Sequence, residues 1–138
     1  MRVLLLGAGG FIGRAILAEL AAHGHEVTAV VRPGGASAIP PGIATCAIDL
    51  ARAAREEDWR EALSGIDIVV NAAGILRGRD MAAVHVAMPR TLHAAARSAG
   101  VARIVLISAI SARPEVPGGY ARSKLAGEEA LRSSGLGW

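Results

Sequence analysis

Short apolar runs alternate with helix-like segments along this chain, beginning at its first residues. Val3–Leu6 is a continuous apolar run, typical of a strand buried on both faces. Ile16, Leu17 and Leu20 follow at helical spacing, which predicts a helix over residues 14–23. The same alternation continues to the end of the chain and predicts a parallel sheet covered by helices.

Four more strands and three more helices are predicted. The strands are 26–31, 43–48, 66–70 and 103–107. The first helix is amphipathic and covers 51–64, with Trp59 and Leu63 on its apolar side. The second is alanine-rich and covers 81–99, and its main part begins at Pro89. The third begins near Gly119.

A glycine turn lies between the first strand and the first helix. Gly7, Gly10 and Gly13 recur at three-residue spacing. Glycine lets the backbone approach a pyrophosphate, and the N–H groups and positive dipole end of the helix favour the same anion. The turn therefore predicts a dinucleotide site, with an ordinary tight turn as the alternative. Its candidate residues are Gly7, Gly9, Gly10, Phe11, Ile12 and Gly13.

These elements define the fold class as α/β, a Rossmann-type doubly wound parallel sheet in three αβα layers. The expected strand order is 3-2-1-4-5, within one domain over residues 1–138. The fifth strand would be left as an unpaired edge, which natural proteins avoid. We therefore expect the N-terminal part of a longer protein, truncated after the fifth strand and its following helix, without the substrate lobe.

Composition narrows the function classes. The chain is 52% apolar and 20% charged, and its 15 basic and 12 acidic residues give a net charge of only +3. Without a basic cluster or interleaved aromatics, no nucleic-acid partner is expected. A lone Cys46 makes neither a disulfide nor a zinc site by itself, so no metal is expected. No apolar stretch approaches a membrane span and no signal peptide is recognised, so the cytoplasm is the expected location.

Three motifs together resemble the short-chain dehydrogenase/reductase superfamily. They are Gly7-x-x-Gly10-x-x-Gly13, Asn71-Ala72-Ala73-Gly74 and Tyr120-x-x-x-Lys124. The glycine spacing and the residues around Tyr120 look most like the extended and atypical branches. Those branches include the epimerase/dehydratase-like proteins and relatives of an NAD(P)-binding accessory subunit of respiratory complex I.

The resemblance implies that Tyr120 is the general acid/base and that Lys124 is its partner and holds the nicotinamide ribose. Their i, i+4 spacing places both on one helix face, where an ammonium stabilises a phenolate. A surface tyrosine and a solvated lysine are the alternative.

The resemblance also gives the other loops a role beside the cofactor. Ala72, Ala73 and Gly74 would flank it through their backbone, although a simple turn of small residues has the same composition. Asp49 and Leu50 would border the adenine ring, and Asp49 as a helix N-cap is the alternative.

Arg32 ends the second strand, where NAD-selective proteins often place an acid for the ribose 2′-hydroxyl. An arginine there attracts a 2′-phosphate, with help from Arg14, so the preferred cofactor is expected to be NADP, with NAD left open. A solvated arginine at a strand end is the alternative.

The pattern departs from the family at two places. Ala109 stands where a serine or threonine usually polarises the substrate oxygen, and Ser108 or Ser111 is the expected substitute. His85 stands where many relatives carry asparagine. We expect His85 and His93 to be surface or packing residues and not ligands.

The leading function is that of an NAD(P)-dependent reductase or epimerase/dehydratase-type oxidoreductase acting on an unidentified small molecule. A non-catalytic NAD(P)H-binding accessory or regulatory protein is the alternative, favoured by Ala109. A sugar-nucleotide epimerase would need the missing substrate lobe, and a homodimer is left open.

Overall fold

Five parallel strands form one sheet in the computed structural model, which describes residues 1–138. The elements in chain order are β1 (Arg2–Leu6), α1 (Phe11–Ala22), β2 (Glu26–Val31), β3 (Ala44–Ala47), β4 (Ile68–Asn71), α2 (Met88–Ser98), β5 (Arg103–Leu106) and α3 (Gly119–Arg132). The order is β3-β2-β1-β4-β5 and every pair is parallel. The predicted α/β topology is confirmed.

Side chains of β1 alternate between the two faces of the sheet, as the strand pleat requires. Leu4 and Leu6 join one apolar core, and Val3 and Leu5 join the other. Helices α2 and α3 cover the first core, and α1 covers the second. The fold therefore has the expected three layers, and the carboxyl ends of all five strands share one edge.

The prediction of a helix over 51–64 is wrong. The segment is a series of turns that contains one short 3₁₀ turn, Glu56–Trp59. Its two apolar anchors, Trp59 and Leu63, are nonetheless fully buried in the core that α2 covers. Their burial by successive turns overrides the helix propensity of the alanines, arginines and glutamates around them.

The helix predicted over 81–99 contains an irregularity. Residues Ala83–Ala87 form a π turn, and α2 begins directly after it. Pro89 occupies the first turn of α2, as expected. Because proline has no N–H, it cannot donate to the carbonyl of His85 four residues earlier, as a regular α-helix would require.

The outer edge of β5 is paired at its beginning. Arg103 forms a parallel bridge with Gly137, and the Ile104 N–H donates to the Gly137 carbonyl at 2.9 Å. The expectation of a wholly unpaired edge is therefore wrong for the first residues of β5.

His93 lies buried between α2 and α3, with 3% of its surface exposed. Neither ring nitrogen reaches hydrogen-bond geometry with a partner. Burial lowers the pKa of His93 below its ordinary value of 6.5, and the backbone of Ala130 offsets part of this effect. The ring is therefore neutral in the folded protein at neutral pH, and it is a packing residue, as expected.

The stability of the protein is expected to fall as the pH drops below 6.5, because His93 binds a proton there in the unfolded state but not in the folded state. Each such histidine contributes a slope of up to about 1.4 kcal/mol per pH unit. His93→Leu should flatten the slope between pH 7 and 5 and stabilise the protein by about 1 kcal/mol, since an unpaired buried polar group is removed. Chemical denaturation at several pH values measures both effects, with surface variant His23→Gln as the control. An unchanged slope in His93→Leu would contradict a neutral buried ring.

Candidate functional site

The glycine turn is a close-packed backbone structure. Gly7 has φ +78°, and a Cβ there would lie 2.7 Å from the backbone of Ala72 and Ala73. The Gly7 carbonyl accepts the N–H of Gly10 at 2.9 Å, and a Cβ on Gly13 would overlap that carbonyl oxygen. The loop after β1 therefore packs directly against the loop after β4, with no room for side chains at Gly7 and Gly13.

The N-terminus of α1 is free to receive an anion. Its N-cap is Gly10, which has no capping side chain, and its first turn contains no acid. The first N–H groups of a helix have no partner within the helix, and the dipole makes this end positive. Phe11 is 96% exposed and Ile12 is also exposed, so no side chain covers this end. The backbone therefore fits a dinucleotide pyrophosphate.

Asn71 shapes the loop after β4. Its buried Oδ1 accepts the N–H of Ala73 at 3.1 Å, which bends the chain directly after the strand. The N–H of Ala72 still pairs with the Leu6 carbonyl of β1 at 3.0 Å. Asn71 thus fixes the backbone of Ala72, Ala73 and Gly74 beside the glycine turn.

The loop after β2 folds back toward the glycine turn. A Cβ on Gly9 would lie 3.6 Å from the Cβ of Ala38, within ordinary contact distance. Arg32 is exposed at the start of this loop, and its carbonyl accepts the N–H of Gly35 at 2.7 Å. Arg32 therefore lies at the carboxyl edge, in the loop that borders the glycine turn.

Asp49 organises the turn that follows β3. Its Oδ1 accepts the N–H of Ala51 at 3.1 Å, and its carbonyl accepts the N–H groups of Arg52 and Ala53. These bonds form a local Asx-type turn. Because no helix directly follows Asp49, the helix N-cap named as its alternative is wrong. Leu50 is half-buried against the core.

Lys124 is the buried charge of the site, with 6% of its surface exposed. Its Nζ donates to the carbonyl of Ile107 at 2.7 Å, at the carboxyl end of β5. Burial lowers the pKa of Lys124 below its ordinary value of 10.5, and the carboxylate of Glu128 offsets part of that effect. Tyr120 lies one turn earlier on α3 and is half-buried.

Glu128 joins α3 to the loop after β5, a contact that the motif alone does not indicate. It accepts the hydroxyl proton of Ser108 at 2.5 Å and pairs with Arg132 at 2.7 Å. The hydroxyl of Ser108 is thus directed to a carboxylate. The signal for Glu128 was its i, i+4 spacing from Lys124, which places the two charges on neighbouring turns of one helix.

His85, predicted to be a surface or packing residue, lies beside the candidate site. It is buried in the π turn, with its Nε2 3.1 Å from the Ile75 backbone N and its Nδ1 2.9 Å from Ser123 Oγ. The prediction of a packing or surface role is confirmed only as to burial, because both ring nitrogens are also hydrogen-bonded. Its place opposite the Tyr120 turn follows from α3 packing on the π turn, which no local pattern reveals.

The predicted site residues all lie at or near one edge of the sheet. The glycine turn contacts the loop after β4, and Lys124 contacts the end of β5. Arg32 and Asp49 lie further out, after β2 and β3 in the outer half of the sheet. The edge is the place where ligands bind in open α/β folds.

Comparisons with known proteins agree with this geometry. A family described as NAD(P)H-binding matches residues 7–138. A ceramide reductase from Caulobacter vibrioides is 30% identical over 96% of this chain and 42% of its own length. A 4-hydroxy-2-methyl-3-oxo-4-farnesyl-3,4-dihydroquinoline-1-oxide ketoreductase from Stigmatella aurantiaca is 31% identical over 78% of this chain and 33% of its own length. The chain therefore spans less than half the length of these relatives.

Solved structures share the fold. The oxidoreductase YlbE from Lactococcus lactis superposes with a TM-score of 0.83 at 23% identity, covering 99% of this chain and 65% of that one. A short-chain dehydrogenase/reductase superfamily protein from Agrobacterium tumefaciens with bound NAD gives a TM-score of 0.76 at 26% identity, over 96% of this chain and 44% of that one. The chain has the Rossmann-type α/β fold found in the extended short-chain dehydrogenase/reductases. It belongs to the NAD(P)H-binding family.

Proposed function

We propose that the protein is an NADPH-dependent reductase of a ketone or aldehyde, with Tyr120 and Lys124 as its catalytic pair. The observation that carries the proposal is the buried ammonium of Lys124, held at the end of β5 by the Ile107 carbonyl. A desolvated cation one helical turn from a phenol stabilises the phenolate that forms when Tyr120 gives up its proton.

The cofactor would be held by the glycine turn at its pyrophosphate, by Ala72, Ala73 and Gly74 along one side, and by Lys124 at its ribose. When bound, it supplies a hydride to the carbonyl carbon of the substrate. Tyr120 donates its phenolic proton to the carbonyl oxygen, so the product is an alcohol. Ser108 contributes by holding Glu128 beside Lys124, because its own proton is directed to that carboxylate.

Two relatives and the exposed side chains at the carboxyl edge of the sheet favour an apolar substrate. One relative is a ceramide reductase and the other is a ketoreductase of a farnesyl-bearing 3-oxo compound. In this chain Leu76 and Ile110 are exposed in the loops that leave β4 and β5. Apolar ketones with long hydrocarbon chains are therefore the first substrates to test.

NADPH oxidation with a series of ketones of increasing chain length tests the proposed function. The proposal expects oxidation that depends on the ketone and is faster with long-chain ketones than with short ones. If NADPH is bound but is not oxidised with any carbonyl compound, the reductase proposal fails.

The proposed preference for NADP depends on Arg32. A guanidinium close to a 2′-phosphate contributes roughly 1–4 kcal/mol, so Arg32→Ala should weaken NADPH binding about tenfold or more and leave NADH binding unchanged. Titration calorimetry with both cofactors measures this change. Arg103→Ala is the matched control, since Arg103 is exposed at the opposite end of the sheet, where β5 begins. Equal loss for both cofactors in Arg32→Ala would contradict the assignment.

A second candidate function is a non-catalytic NAD(P)H-binding accessory or regulatory protein. The observation that favours it is Ala109, which offers no hydroxyl where the family usually has one. The two candidates differ in turnover and not in cofactor binding, so the ketone series distinguishes them.

Location, assembly and reaction type complete the proposal. None of the helices combines the length and apolar character needed to cross a bilayer. The cytoplasmic location, a homodimer and an epimerase/dehydratase-type variant of the reaction are further proposals that the sequence supports.

A further inference from the structure

The ring of His85 joins the two halves of the proposed site. One nitrogen contacts Ile75, in the loop that follows Gly74, and the other contacts Ser123 on α3. The Ser123 hydroxyl donates in turn to the carbonyl of Tyr120 at 2.9 Å. A continuous chain of three hydrogen bonds therefore runs from the cofactor-flanking loop to the backbone of the catalytic tyrosine.

The partners of the ring determine its protonation state. A backbone N–H can only donate, so Nε2 must accept from Ile75. The single proton of the Ser123 hydroxyl is given to the Tyr120 carbonyl, so Ser123 Oγ accepts from Nδ1–H. The ring is therefore neutral and protonated on Nδ1. Burial lowers the pKa of His85 below its ordinary value of 6.5, and the ammonium of Lys124 lowers it further.

The surroundings hold the ring in place. The rings of His85 and Tyr120 meet edge to face, with centroids 5.7 Å apart and planes at 75°. A Cβ on Gly127 would lie 2.6 Å from the His85 carbonyl oxygen, so α3 approaches the π turn as closely as a backbone allows. Gly74 is also near, since a Cβ there would lie 3.4 Å from Nε2. The π turn thus brings one imidazole into contact with both loop and helix.

We propose that His85 is a positioning residue that sets the place of Tyr120 relative to the cofactor-flanking loop and that is required in its neutral, Nδ1-protonated form. This inference rests on the proposed function. When the ring is protonated, Nε2 also carries a proton and can no longer accept the N–H of Ile75. The hydrogen bond between the loop and the ring is then lost. The titratable groups that face the ring are Tyr120 and Lys124, both on α3, and the loop residues 72–76 contribute none.

Three variants of His85 separate its two hydrogen bonds. His85→Gln can replace the acceptor for Ile75, His85→Asn can replace the donor to Ser123, and His85→Phe replaces neither. We expect kcat to fall about tenfold or more in His85→Phe, with smaller losses in the two amide variants and NADPH affinity near the wild-type value, because misplacement of a reacting group mainly affects turnover. In the wild type, kcat should fall at acid pH as the ring of His85 takes up a proton. This acid limb of the kcat profile should disappear in His85→Gln, which cannot titrate.

Ser123→Ala tests the same link from its other end and does not alter the ring. Its kcat should fall to a similar extent, and the losses in Ser123→Ala and His85→Phe should not add in the double variant, since both break one chain. Ser133→Ala, beyond the far end of α3, is the matched control. Additive losses, or an acid limb that persists in His85→Gln, would overturn the inference.

A readout without turnover keeps this inference distinct from the proposed function. The long-range proton–nitrogen NMR spectrum of the His85 imidazole should show a neutral, Nδ1-protonated ring at pH 7. A ring protonated on Nε2, or a charged ring, would overturn the inference even in an active enzyme. If the spectrum is as expected but wild-type protein has no reductase activity, the proposed function fails and not the geometry of the link.

Discussion

Gly13→Ala is expected to abolish NADPH binding and to lower the free energy of unfolding by about 3 kcal/mol, at the upper end of ordinary overpacking costs. The new Cβ would overlap the carbonyl oxygen of Gly7. That carbonyl accepts the N–H of Gly10. A Cβ added to Gly7 would itself lie only 2.7 Å from the backbone of Ala72. Because only backbone surrounds the new methyl group, no side chain can rotate away from it.

Gly9→Ala is the matched control for the fold. Gly9 has no positive φ, and its Cβ would meet only the Cβ of Ala38 at 3.6 Å. This variant should unfold at the same denaturant concentration as the wild type. Denaturation curves and NADPH titrations of both variants measure the two effects separately. Wild-type NADPH affinity in Gly13→Ala would show that the turn does not hold the cofactor.

Tyr120→Phe is expected to lower kcat for ketone reduction by at least about 100-fold, the usual contribution of a general acid. The variant removes one oxygen and keeps the aromatic ring against His85. Lys124 and its contact with the Ile107 carbonyl are unaffected. The affinity for NADPH should therefore remain near that of the wild type. Steady-state kinetics measures the loss of kcat, and calorimetry measures the NADPH affinity.

Unchanged turnover in Tyr120→Phe would remove this residue from the mechanism. Lys124→Met provides a comparison, because it removes the cation and keeps a side chain of similar length in a buried place. It should lower both kcat and NADPH affinity, since the proposed role of Lys124 includes the ribose. A loss of kcat alone in Lys124→Met would limit the lysine to the proton transfer.

The strands could be predicted from the sequence because their signal is local. Val3–Leu6 is apolar at each position, as expected of a strand that pairs on both sides and is covered on both faces. Each predicted strand is present, and β2 has the predicted bounds, while the ends of the others shift by at most two residues. The helix prediction for 51–64 failed because helix propensity is a weak determinant of structure. The burial of Trp59 against α2 decides the local conformation instead.

The site was predictable only as far as its motifs reach along the chain. The glycine turn and the Tyr120–Lys124 pair each occupy one local segment, so their spacing carries geometric meaning. The links Ser108–Glu128 and His85–Ser123 join residues 20 and 38 positions apart. Such contacts depend on how α3 packs against β5 and the π turn, and a single sequence does not encode that packing in any short pattern.

Titration calorimetry of the wild-type protein with NADPH and NADH tests the central claim most directly. The claim is that the turn between β1 and α1 binds a dinucleotide through its backbone. Binding of one equivalent of NADPH, tighter than that of NADH, is the expected result. A cooperatively folded protein that releases or absorbs no heat with either cofactor, and whose denaturation midpoint neither cofactor shifts, would contradict it.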